Sequence, residues 1–159
     1  MTAVLGISQW RDSMLEATDE VAQSSLMLDA VTVREAPSPL PRDLPGSYIP
    51  LVGEDYNYEF GLAAKWEHCE YLAKTLLFMD PGDEISDDDI ADAMNELANM
   101  VGGGVKKRMA EIDTTLKLGL PAFFNGTVHP TAEQEHVCVI ATAGEAEIYL
   151  IALKHKAPL

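Results

Sequence analysis

"SDDDIADAMNELANMVGGGVKKRMAEI", residues 86–112, reads as one long helix, and the rest of the chain can be arranged around it. At about 100° per residue, Ile90, Met94, Leu97, Val101, Val105 and Ile112 fall into one apolar stripe of the kind that packs on a core. Ser86 can cap the helix, and Asp87, Asp88 and Asp89 place negative charge at the positive end of its dipole, so the helix is expected to start there and run to about Ile112. On the opposite side Asp92, Glu96 and Asn99 lie within roughly 60° of one another, and Gly103 continues their line. Glu96 and Asn99 are three residues apart, which brings their Cβ atoms to about 5–6 Å, close enough to act on one bound group. A polar face on a long helix is ordinarily solvated surface; the anomaly is the run Gly102-Gly103-Gly104, where each glycine costs about 1 kcal/mol relative to alanine. Three uses fit it. Gly102 and Gly104 flank the apolar stripe and would admit a closely packed neighbour, Gly103 would leave bare surface beside Asn99, or the run would break or kink the helix.

Working outward, "KWEHCEYLAKTLLFM" has helical spacing through Trp66, Cys69, Leu72 (or Ala73) and Leu76, and "DPGDE" stops it. Before it, "SYIPLV" and "YNYEFGLAA" read as a hairpin across "GED", with Tyr56, Tyr58, Phe60 and Leu62 alternating with smaller or polar residues. A first helix is expected from about Ser8 to Leu28, with Trp10, Met14, Ala17, Val21 and Leu28 on its core face. The four prolines of "REAPSPLPRDLPG" remove backbone donors and make it a surface connection. After the long helix, "KLGLPAFF", "EHVCVIAT" and "EAEIYLIALK" read as strands, the last two pairing across "AG". The expected class is α+β, with long exposed helices packed on a largely antiparallel sheet in a single domain spanning residues 1–159.

Charge narrows the choice of partners. With 11 basic against 26 acidic side chains the formal charge is -15, which repels a phosphate backbone and an anionic membrane, so neither nucleic acid nor membrane is an expected partner. No apolar run approaches the ~20 residues needed to cross a bilayer, and the opening "MTAVLGISQWRDSMLEATDE" has no basic start followed by an apolar core; a cytoplasmic location is expected. Cys69 and Cys138 sit among residues that favour burial and read as reduced core thiols. His68, His129, His136 and His155 are scattered, and the adjacent His68 and Cys69 would point apart on a helix, so no metal site is expected.

The pattern Asp92-x3-Glu96-x2-Asn99, followed by Met100, glycines and Pro121, resembles the motif of the CheX/CheC chemotaxis phosphatases. The resemblance is strongest over residues 86–123 and weak before residue 47. It implies a CheC/CheX-like fold and a hydrolase of two-component signalling whose substrate is the aspartyl phosphate of a CheY-type response regulator. Carried over residue by residue, Asn99 would enter the regulator's active site and orient the attacking water, and Glu96 would pair with its active-site lysine. Asp92 would make a supporting docking contact, Gly103 would leave room for the partner, and Pro121 would shape the turn after the helix. The chain itself would need no cofactor, because the Mg2+ of the reaction is expected in the regulator. The chemistry suits these groups: phosphoryl transfer leaves the protein mainly positioning and electrostatics, and a neutral carboxamide can hold water without adding charge beside an anionic phosphoryl group.

CheC-type members carry two motif copies. Here "DSMLEATD", residues 12–19, gives Asp12-x3-Glu16-x2-Asp19 with Asp in place of the final Asn, either the vestige of a second site or chance in an acidic helix. One intact copy points to the CheX type, whose members pair as homodimers, and the apolar strands "HVCVIAT" and "YLIALK" would need protection if they lay at an edge. The alternative reading is a non-enzymatic module of the same fold that docks on a response regulator or flagellar switch component. Remoter still is a structural domain whose acidic surface only keeps it in solution.

Overall fold

The computed structural model describes residues 6–37, 41, 43–127 and 134–156. Its elements run α1 (Ile7–Ser24), β1 (Thr32–Glu35), β2 (Gly46–Val52), β3 (Tyr56–Ala63), α2 (Trp66–Leu76), α3 (Asp87–Met109), β4 (Lys117–Leu118), β5 (Ala122–Phe124), β6 (Glu135–Ala143) and β7 (Ala146–Lys156). The strands form one antiparallel sheet in the order β1-β6-β7-β3-β2-β4, with β5 also paired to β2. The α+β expectation of helices on a largely antiparallel sheet therefore holds.

Local chemistry accounts for the helix ends. Ser86 caps α3 by accepting a 3.1 Å hydrogen bond from the Asp89 amide, and the three aspartates fill its first turn. At the other end Lys106, Lys107 and Arg108 complement the negative end of the dipole. The helix stops at Met109, three residues short of the expected Ile112. α2 ends before "DPGDE", with Phe78 turning the chain at a φ of 56°. α1 ends at Ser24 and not near Leu28, because Met27 takes a φ of 56° that no helix continues through.

One face of the sheet carries the main core. Tyr58, Phe60 and Leu62 of β3, Ile49 and Leu51 of β2, and Val139, Ala141, Ile148 and Leu150 of β6 and β7 meet Trp10, Met14 and Ala17 from α1, Leu72 from α2, and Ile90, Met94, Leu97, Val101 and Val105 from α3. α3 packs on both other helices and on β2 and β3, so it is the middle helix of its layer. The opposite face is also buried, with Tyr48, Ala63, Ile140, Tyr149, Ile151 and Leu153 gathered under Leu44. Tyr48 lies over Gly61, where an added Cβ would come within 2.4 Å of its ring. Leu44 comes from the proline-rich connection, so that segment covers the sheet as well as crossing the surface.

Three strand expectations need correcting. β1 went unread because all four of its residues are exposed and leave no alternation to follow. "KLGLPAFF" is two short strands, since Pro121 has no amide to continue the ladder. β7 is an interior strand between β6 and β3, and β1 pairs with Val139–Thr142 of β6 but does not extend along its Glu135–Cys138 half. The hairpin between them turns at Gly144, φ 57°, and Glu145, just past the expected "AG".

Candidate functional site

α3 stays helical through all three glycines, so the run does not break the helix and the two packing uses remain. A Cβ on Gly102 would stand 3.1 Å from Ile49 Cγ2 and 3.3 Å from Leu118 Cδ1; one on Gly104 would stand 3.0 Å from the Cβ of Ala17. These two glycines let α3 settle onto β2 on one side and α1 on the other. At Gly103 nothing lies within 4 Å of where a side chain would begin. The run thus has two inward members and one outward member, as the helical angles imply.

The outward line contains the residues singled out from sequence. Asp92, Glu96 and Asn99 are exposed on α3, and among the described residues none of their side chains has a hydrogen bond or ion pair. The structure brings Glu96 and Asn99 onto one open face a single turn apart, with Asp92 before them and Gly103 after. Pro121 leads into β5, which pairs with β2 and touches α3. Sequence reasoning missed Asn95: its Oδ1 accepts a 2.8 Å hydrogen bond from the Ser47 hydroxyl, tying α3 to β2 just before Glu96. The signal available was a polar residue at the border between the apolar stripe and the open face. Trp66, the first of the helically spaced residues of α2, is 37% exposed and stands edge-on to Phe123 with ring centroids 6.2 Å apart.

Two members of the resembling triplet on α1, Glu16 and Asp19, have other employment. Asp19 accepts the Val31 amide at 2.9 Å, and Glu16 is held by Arg108 of α3 at 3.2 Å. Arg108 also binds Glu20 at 2.7 Å and donates to the Gly104 carbonyl at 3.1 Å, so the guanidinium ties α1 to α3. That hydrogen bond, followed by the arginine's charge, holds the Glu20 carboxyl below its ordinary range.

Among the described residues no three of the His, Cys, Asp and Glu side chains are grouped to hold a metal ion, and His129 lies outside them. His68 Nδ1 accepts the Glu147 amide at 3.2 Å. Cys69 and Cys138 are free thiols, both pushed up to about 12 by burial. No helix among the described residues is long and apolar enough to cross a membrane.

A largely antiparallel sheet backed by three helices is the arrangement of the CheC/CheX-like structures. The family "Chemotaxis phosphatase CheX" matches residues 47–143, and the chain belongs to it. No curated protein sequence matches. Among solved structures, the chemotaxis protein CheX of Vibrio vulnificus is similar at a TM-score of 0.76 and 16% identity, over 92% of this chain and 99% of that one. A CheX–CheY–BeF3–Mg2+ complex from Borrelia burgdorferi is similar at 0.73 and 16%, over 91% and 96% of the two chains. The FliM middle domain of Helicobacter pylori shares the fold at 0.60 and 14%, over 94% and 92%.

Proposed function

We propose that this protein hydrolyses the aspartyl phosphate of a CheY-type response regulator in chemotaxis. The observation that carries the reading is the pair Glu96 and Asn99, exposed and unengaged on the outer face of the middle helix of a CheX-family chain. The CheX–CheY complex among its structural neighbours supports a regulator as partner.

In this reading the Asn99 carboxamide enters the regulator's active site and hydrogen-bonds a water in line with the phosphorus–oxygen bond to be broken. The water oxygen bonds to phosphorus, the aspartate carboxylate leaves, and the products are aspartate and inorganic phosphate. Glu96 pairs with the regulator's active-site lysine and fixes the orientation of the two proteins. Asp92 makes a supporting contact, and Gly103 allows the regulator's surface to come close. Mg2+ is expected in the regulator, and no cofactor is assigned to this chain. Most of the catalytic effect then comes from placing one water, for which a 1 Å error already costs about 100-fold.

The rigidity that such placement needs is visible in the scaffold. α3 is fixed on β2 by Gly102 and the Ser47–Asn95 hydrogen bond, and on α1 by Gly104 and Arg108. The test is the dephosphorylation rate of phosphorylated CheY-type regulators from the same cell, with wild type, Glu96→Ala and Asn99→Ala. Acceleration by wild type that both variants lose supports the reading. Binding without acceleration favours the second reading, a non-enzymatic docking module, which the shared fold with the FliM middle domain keeps in view.

A further inference from the structure

Lys106 lies seven residues after Asn99 on α3, hence within about 20° of it around the helix and about 10 Å along it, with bare Gly103 between them. Lys106 and Lys117 of β4 line one open recess of about 510 Å³, together with Glu54, Thr114 and Thr115. Neither lysine is in an ion pair among the described residues, and nor are Lys65 and Lys107, whereas Arg11, Arg34, Lys74, Arg108 and Lys154 all are. What sets Lys106 and Lys117 apart from Lys65 and Lys107 is that they line the same recess, in a chain whose charge is -15 overall. Thr115 does not compete for a ligand, since its hydroxyl donates to Asp113 and accepts the Glu54 amide.

Size decides whether the recess belongs to the docking face. A stable protein interface covers about 800 Å² per partner, a disc of about 16 Å radius. A partner centred on Asn99 therefore reaches Lys106. Burying that ammonium without a counter-charge is unfavourable, so the opposing surface must supply one.

We propose that Lys106 and Lys117 form a basic end to the docking face and receive carboxylate side chains from the surface of the response regulator, fixing which way round it sits on α3. The inference rests on the phosphatase reading for the placement of Asn99 at the centre of the contact. The regulator's lysine lies toward the acidic half of α3, at Glu96, and its acidic surface lies over Lys106.

The test uses the full chain with Lys106→Glu, Lys117→Glu and both together, Lys106→Gln to remove the charge without opposing the helix dipole, and Lys107→Glu as a control of equal charge change. Turnover is measured on the phosphorylated regulator and binding on its beryllofluoride-loaded form, with thermal melting to confirm folding. The double variant is expected to raise KM and Kd about tenfold, with kcat held within about twofold and a flatter salt dependence than wild type. Lys106→Gln should show a smaller rise in the same direction, and Lys107→Glu should stay within about twofold of wild type. Unchanged KM and Kd in the double variant, or an equal effect from Lys107→Glu, overturns the proposal. A wild type that binds without hydrolysing, but loses about tenfold in Kd with the double variant, keeps the docking face and overturns the phosphatase reading. A wild type that neither binds nor hydrolyses overturns both.

Discussion

Gly104 of α3 lies directly against Ala17 of α1: a Cβ on the glycine would stand 3.0 Å from that of the alanine. Gly102 makes a comparable approach to Ile49, while Gly103 between them faces open space. Three adjacent glycines thus meet three different surroundings, and substitution should separate them.

Gly104→Leu and Gly102→Leu should each destabilise the fold by about 1–3 kcal/mol, because the added side chain must push α3 off α1 or β2. Gly103→Ala should stabilise it by about 0.5–1 kcal/mol, the gain for replacing an unconstrained helical glycine. Denaturant midpoints of the three variants give the comparison. Gly103→Leu should fold normally yet bind the regulator more weakly, as a binding isotherm would record; unchanged affinity would take Gly103 out of the docking face.

Asn99→Asp keeps the size of the side chain and adds a negative charge. Beside an anionic phosphoryl group it should lower kcat by about 100-fold or more, the same loss expected of Asn99→Ala. Dephosphorylation at saturating regulator checks this, and an active Asp variant would argue against the water-positioning role.

Ser47 is fully buried, and its hydroxyl is the donor to Asn95. Ser47→Ala should cost about 1–2 kcal/mol, the usual penalty for leaving one partner of such a bond unmatched. Chemical denaturation measures the loss directly.

Alkaline pH should weaken the fold. Burial raises the Cys69 thiol from 9.0 to about 12; burial, and then the charge of Asp113, raises Tyr58 from 10.0 to about 12. The folded state keeps these protons where the unfolded state has already released them, so their stabilisation is full below pH 9 and falls as pH rises toward 12. Cys69→Ala should flatten this limb in unfolding curves taken across that range. For the same reason neither cysteine should react with a thiol reagent near pH 8 until the chain unfolds.

What could be read from sequence followed the strength of local signals. Ser86 with three aspartates located the start of α3 to the residue, and the 3.6-residue spacing separated Met94 and Leu97 from Glu96 and Asn99 before any coordinates did. The β2–β3 hairpin was legible because its tyrosines, Phe60 and Leu62 alternate. β1 had no such signal, and helical spacing alone does not show that α2 leaves its first turn partly open at Trp66. The bond between Ser47 and Asn95 joins residues 48 positions apart, and no local pattern reports a contact of that range. The roles given to Glu96 and Asn99 came from family resemblance; spacing supplied only their shared face.

The engagement of the α1 carboxylates bears on stoichiometry. Asp19 is committed to the Val31 amide and Glu16 to Arg108, so α1 has no counterpart of the open pair on α3. If α3 is the working face, the protein is monovalent toward its regulator. Titration should saturate at one regulator per chain, and bringing two regulators together would require two copies of this protein.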